Sequence, residues 1–266
     1  MLRTRLLTAA VALPALWLII WKLWDPLFNG FIAAVAAVGL FEYGAMAFPG
    51  DRPSRVMAIV CGLLVAAAVL TGQLAWVGAA LFLTVTGGFA FPLVRHDDLR
   101  GGVERLGLLV LGVLYVGFFV PHVSLLRQTP EGWRWVIFTV AGAMGSDTGG
   151  YFAGRFFGRH KLLPAVSPGK TVEGAVGALA GAVLATGIIV WTLAMGVAPA
   201  EVIWLGLAIS GLAQFGDLAE SALKRAFGAK DSGWIIPGHG GILDRLDSLL
   251  LPFVFVYYWR AVLLRG

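Results

Sequence analysis

The stretch that decides the fold reads EVIWLGLAISGLAQFGDLAESAL over residues 201–223 and continues KRAFGAKDSGWIIPGHGGILDRLD to residue 247. Its first part is long and apolar enough to cross a bilayer, which takes about 20 residues of helix. Its second part carries the spacing Ser221-x2-Lys224-Arg225-x4-Lys230-Asp231-x5-Pro237-Gly238-His239-Gly240-Gly241-x2-Asp244-Arg245-x-Asp247. Four cationic and three acidic side chains and a histidine thus stand beside a membrane span, in a chain that is only 13% charged. Charge next to a hydrocarbon core is costly, so such a cluster marks a functional site. Carboxylates mixed with Lys and Arg around a glycine turn suit a phosphate and a divalent metal held together.

The rest of the chain follows the same pattern. Its 266 residues are 59% hydrophobic and its mean hydropathy is +0.84, well beyond a soluble domain. The expected fold is all-α and polytopic, with nine spans near residues 6–24, 28–48, 55–72, 74–94, 106–126, 133–154, 173–195, 201–223 and 247–264. The first reads as an uncleaved helix and not as a signal peptide. Residues 1–130 form an N-terminal set of helices for packing, dimerisation or lipid access. Residues 131–266 form the region expected to carry the function, with polar loops at 155–172 and 224–246. With the N-terminus inside, 15 of the 20 Lys and Arg residues fall on the inner side, a positive-inside bias that puts both polar loops in the cytoplasm. A nucleotide triphosphate is available there. The lone cysteine, Cys61, excludes an intramolecular disulfide. The net charge of +5 reflects orientation, and no basic run with interleaved aromatics points to nucleic acid. Gly150, Gly154 and Gly158, and again Gly177 and Gly181, recur every four residues, a stripe for close helix approach.

The carboxylates are spaced for convergence. Asp217, Ser221 and Lys224 share one face of the 201–223 helix. Asp244 and Asp247 share another, and the glycine turn at 238–241 folds that second helix start back toward the first. Hard oxygen donors of this kind suit Mg²⁺, singly or with a second cation. A purely structural reading instead pairs Asp217 with Lys224 and Arg245 with Asp244 or Asp247. His239 is open to two readings, as ligand or base and as a hydrogen bond that holds the turn. No second histidine sits near it in sequence, so zinc is disfavoured. In the other polar loop, Gly169-Lys170-Thr171 resembles the end of a P-loop, but Pro164 stands where the pattern needs glycine. What remains is a helix start with a lysine, a hydroxyl and free N–H groups, an anion site in which Ser167 or Thr171 also serves as N-cap. Asp147 lies inside an apolar span without a cation within one turn, which favours function.

Taken together, the 221–247 spacing, the segment Ser167-Pro168-Gly169-Lys170-Thr171-x-Glu173-Gly174 and the stretch around Asp147 resemble the phosphatidate cytidylyltransferases, or CDP-diacylglycerol synthases. The resemblance is strong over residues 140–250 and one of character only before that. It implies a Mg²⁺-dependent reaction of CTP with phosphatidate at the cytoplasmic face of the cell (inner) membrane, giving CDP-diacylglycerol and diphosphate, in a homodimer. Asp217, Asp244 and Asp247 are then the expected metal ligands. Lys224, Arg225, Lys230 and Arg245 are expected to receive the lipid phosphate and the leaving diphosphate, with Asp231 and His239 completing the catalytic set. Asp147, Lys161, Ser167, Lys170, Thr171, Glu173 and Ser221 are expected to bind substrate. Other CTP-using lipid enzymes share polar loops but not this spacing. An ion-coupled transporter is disfavoured, because the charges cluster at one face and no symmetric pair of broken helices appears.

Overall fold

The structure, a computed structural model, describes residues 17–95, 98–234 and 240–262. Most of these are helical. The helices are α1 (Asp25–Ala47), α2 (Arg52–Leu70), α3 (Leu74–Arg95), α4 (Leu99–Gly112), α5 (His122–Arg127), α6 (Gly132–Phe157), α7 (Val172–Thr192), α8 (Pro199–Ala226), α9 (Leu243–Leu246) and α10 (Leu250–Val262). A π-helical segment, Val113–Phe118, continues α4. Helices dominate because a bilayer offers no water to backbone polar groups, and a helix satisfies them within itself.

Six helices are long and apolar enough to cross a membrane: Asp25–Ala47, Arg52–Leu70, Leu74–Val94, Arg100–Arg127, Val172–Thr192 and Pro199–Ala226. They match six of the nine expected spans. Of the other three, the 6–24 segment lies mostly outside the described residues. The 133–154 segment is a helix, α6, of 26 residues, made less apolar by Asp147 and the Ser, Thr and Gly residues around it. The last expected span is described as a 13-residue helix, α10.

The all-α expectation needs one correction. Residues 161–171 form a two-stranded antiparallel hairpin, β1 (Lys161–Leu163) and β2 (Ser167–Thr171), pairing Lys161 with Thr171 and Leu163 with Ser167. Pro168 and Gly169 disfavour helix there, and the Lys161 ammonium donates to the Pro168 carbonyl at 2.8 Å across the hairpin. Thr171 ends β2 and caps α7: its backbone is extended and its hydroxyl accepts the Gly174 N–H at 3.1 Å.

The chain divides into two compact units, each discontinuous in sequence. One comprises Met1–Leu23, Leu126–Lys230 and Arg245–Gly266; the other comprises Trp24–Leu125 and Asp231–Asp244. In the first, α6 and α7 meet along their glycines. A β-carbon on Gly145 would lie 2.6 Å from the Gly181 carbonyl oxygen, and one on Gly177 would lie 2.8 Å from that of Gly149. The stripe read from the sequence is thus a backbone-to-backbone contact, the arrangement small residues permit between membrane helices. Against it α8 packs Leu205, Ile209 and Ala213, all buried. A buried hydroxyl pair, Ser146 and Ser210 at 2.8 Å, ties α6 to α8. In the second unit, α2 packs on the π-helical segment just as closely, with a Gly117 β-carbon 2.9 Å from the Gly62 Cα. The buried Tyr43 donates its hydroxyl to the Leu108 carbonyl at 2.7 Å, joining α1 to α4.

Candidate active site

The glycine contact of α6 and α7 matters because it sets the walls of a cavity of about 470 Å³ in the first unit. Helix α6 contributes Ser146, Asp147, Gly150, Tyr151, Gly154 and Arg155; the hairpin contributes Leu162, Gly169, Lys170 and Thr171; α7 contributes Gly174 and Ala175; and α8 contributes Gln214 and Asp217. The floor is built from small residues because larger ones would not let α6 and α7 approach.

The central contact is an ion pair between Lys170 and Asp217, Nζ to Oδ2 at 2.6 Å, with both side chains mostly sheltered from solvent. Lys170 comes from β2 and Asp217 from the fifth turn of α8, so the hairpin is what delivers a cation to a carboxylate within an apolar helix. The Ser221 hydroxyl faces the other Asp217 oxygen at 3.4 Å. Asp147 stands within electrostatic reach of Asp217, Lys170 and Arg245. At the cavity edge, the Arg155 guanidinium donates to the Tyr151 hydroxyl at 2.7 Å. The side chain of Gln214 donates to Ser210 Oγ at 3.1 Å, extending the buried polar line from Ser146.

A second acidic group belongs to the same unit. Asp247 lies where the charges of Asp217 and Glu220 both act on it. Its Oδ1 accepts the Ser248 N–H at 2.6 Å. Glu220 is almost fully buried and pairs with Lys224 at 2.7 Å. Glu220 is the residue the sequence reading missed. It shares a helical face with Asp217 and stands one turn before Lys224, and that spacing in an apolar span was the available signal. The pairing of Asp217 with Lys224 is accordingly replaced by two pairs, Asp217 with Lys170 and Glu220 with Lys224.

The remaining expected residues are placed as follows. Asp244, in the second unit, accepts three hydrogen bonds on Oδ2: from Ser232 N at 2.9 Å, Ser232 Oγ at 2.9 Å and Gly241 N at 2.8 Å. That carboxylate ties Ser232 to Gly241. Gly240 in the same turn has φ +79°, a conformation that favours glycine. Glu173 holds the base of the hairpin, accepting from Arg159 N at 3.0 Å, His160 N at 3.2 Å and His160 Nδ1 at 2.6 Å. Ser167 sits in β2, and Arg225, Lys230, Asp231 and Arg245 are exposed. His239 lies outside the described residues.

Among the described residues no three carboxylate, imidazole or thiol groups form a ready-made metal cage. Asp217 and Asp247, with Glu220 beside them, are nonetheless a concentration of hard oxygen donors and negative charge. That set fits Mg²⁺, which binds through one or two carboxylates and completes its octahedron with water and substrate phosphate.

Fold and site together define a polytopic membrane protein with a cavity lined by Lys170, Arg155, Asp147 and Asp217 among its helices. Comparison with known sequences is specific: residues 3–263 match the model of the cytidylyltransferase family, and the chain belongs to that family. It is similar to the phosphatidate cytidylyltransferase of Pseudomonas aeruginosa, at 35% identity over 98% of both chains. It is also similar to that of Brucella suis, at 39% identity over 73% of this chain and 71% of the relative, and to that of Bacillus subtilis, at 36% identity over 60% of both.

Proposed function

We propose that this protein transfers CMP from CTP to phosphatidate, giving CDP-diacylglycerol and diphosphate. The observation that carries the reading is the cavity of the first unit, where Lys170, Asp217, Asp147 and the capped start of α7 face one space between membrane helices. Such a space takes a polyanion whose reaction partner stays in the bilayer.

The nucleophile is a phosphate oxygen of phosphatidate. A phosphate monoester is largely ionised near neutral pH, its second pKa being about 6, so no strong base is required. The protein's task is to bring two anions together and stabilise the leaving diphosphate. Lys170 holds nucleotide phosphate together with the N–H groups at the start of α7, and gives up Asp217 to do so. Arg155 at the cavity edge and the exposed Arg225, Lys230 and Arg245 offset charge on the lipid phosphate and the leaving group. Asp147 orients substrate within the apolar part of the cavity. Asp217 and Asp247 would hold Mg²⁺, which would supply charge neutralisation on the phosphates; Asp244, the other expected ligand, belongs to the second unit.

The same reading includes nine spans, a cytoplasmic N-terminus, a site facing the cytoplasm, residence in the cell membrane and assembly as a homodimer. The positive-inside distribution supports the orientation, and the family resemblance supports the dimer. The test is incubation of purified protein with CTP, phosphatidate and Mg²⁺, followed by chromatography of the lipid phase. A CDP-lipid product is expected. A phosphorylated lipid without cytidine, or none at all, would overturn the reading.

A further inference from the structure

We infer that Glu42, on helix α1, is a positioning residue for the reaction proposed above, acting through Ser232 and the Ile242–Asp244 backbone of the charged stretch. Glu42 is 2% exposed in an otherwise apolar helix. A carboxylate there is costly to bury and persists only with strong partners. Its partners among the described residues are all donors from that one segment. Oε1 accepts the Ile242 N–H at 3.0 Å, and Oε2 accepts the Leu243 N–H at 3.0 Å and faces the Ser232 hydroxyl at 3.3 Å. Two successive backbone N–H groups thus take one oxygen each, which fixes the peptide plane between them.

The surroundings are shaped for this contact. A β-carbon on Gly233 would lie 2.6 Å from Glu42 Oε1, and one on Gly241 would lie 2.5 Å from Oε2. Glycine at both positions is what lets the backbone close around the carboxylate. Gly39, one turn before Glu42 on the same face, receives the buried Leu243, whose Cδ2 would be 3.1 Å from a β-carbon there. Ser232 couples Glu42 to Asp244. Its hydroxyl has one hydrogen, and the shorter approach is to Asp244 Oδ2, at 2.9 Å. Glu42, Ser232 and Asp244 therefore form one polar unit that fixes the backbone from Ile242 to Asp244. A helix that carries none of the expected catalytic residues thereby fixes the backbone at the expected ligand Asp244.

The inference rests on the proposed transferase reading, and kinetics of full-length protein in detergent test it. Glu42→Gln replaces one acceptor oxygen by a donor that opposes a backbone N–H. Displacing a reacting group by about 1 Å costs about 10²-fold, so kcat should fall by about 10- to 100-fold. KM for CTP should change little, because the Lys170 region is untouched. Glu42→Asp keeps both oxygens, one methylene shorter, and should recover part of the loss. If Glu42→Gln is not obtained folded, Ser232→Ala substitutes for it. Loss of one hydrogen bond worth about 0.5–1.5 kcal/mol predicts a kcat reduction of roughly 2- to 13-fold with unchanged KM. Wild-type kcat in the tested variant overturns the inference. So does a raised KM at constant kcat, or a loss that matches the unfolded fraction and is not eased in Glu42→Asp. Wild type measured in parallel separates the two claims: if it makes no CDP-lipid, the transferase reading fails, and the positioning role with it.

Discussion

Lys170→Ala is the most informative single substitution in the cavity. The lysine reaches Asp217 at 2.6 Å, with its own side chain 25% and the aspartate 32% exposed. Partly exposed pairs of this kind contribute about 0–1 kcal/mol to stability, so the variant should fold and melt close to wild type. Its effect on function should be larger. A hydrogen bond to a charged group is worth about 1.5–3 kcal/mol, and 1.4 kcal/mol is a factor of ten. If Lys170 exchanges Asp217 for a nucleotide phosphate, KM for CTP should rise roughly 10- to 150-fold in the variant. KM for phosphatidate should change far less, because the lipid phosphate is received by other cations. The assay is initial-rate kinetics in mixed micelles, varying each substrate at saturating concentrations of the other, with thermal denaturation of the same preparations. Equal increases in both KM values, or none, would refute the assignment of Lys170 to the nucleotide.

Two further outcomes follow from the geometry. Asp247→Asn removes a carboxylate beside Asp217 and Glu220 while keeping the side-chain size; turnover should be abolished with folding retained, and activity at the wild-type level in purified protein would remove Asp247 from the metal site. Gly177→Leu forces a side chain into the contact of α6 and α7, where even a β-carbon would lie 2.8 Å from the Gly149 carbonyl oxygen; overpacking costs about 1–3 kcal/mol, which a lowered melting temperature and a lost cavity activity would register, whereas unchanged melting would show that the helices separate freely.

What could be read from the sequence depended on the range of the interactions. The spans are local properties of apolar runs, and α1, α2, α3, α7 and α8 fall near where hydropathy puts them. Thr171 as a helix cap is equally local, a hydroxyl three residues before the N–H it accepts. The hairpin at 161–171 was not legible, because strands of three and five residues containing Pro168 and Gly169 show no alternation. The partner of Asp217 was misread for a related reason. Helical spacing pointed to Lys224, but a loop folded back and brought Lys170 instead, and Lys224 met the overlooked Glu220. Glu42 is the extreme case. Its contact with Leu243 spans 201 residues of chain, and nothing in the pattern around residue 42 announces it beyond the presence of a carboxylate in an apolar helix. The charged stretch at 221–247 stood out as a candidate site from composition alone. That Asp231–Asp244 groups with the N-terminal helices is a tertiary fact.

The central claim is that the group transferred is CMP, and one measurement decides it: the fate of label from CTP carrying ³²P at the α position, compared with CTP labelled at the γ position, in reactions of purified protein with phosphatidate and Mg²⁺. The account predicts that α label enters the lipid phase, that γ label stays in the aqueous phase as diphosphate, and that EDTA stops the transfer. Entry of γ label into lipid, with α label left behind, would contradict it and make the protein a CTP-dependent lipid kinase.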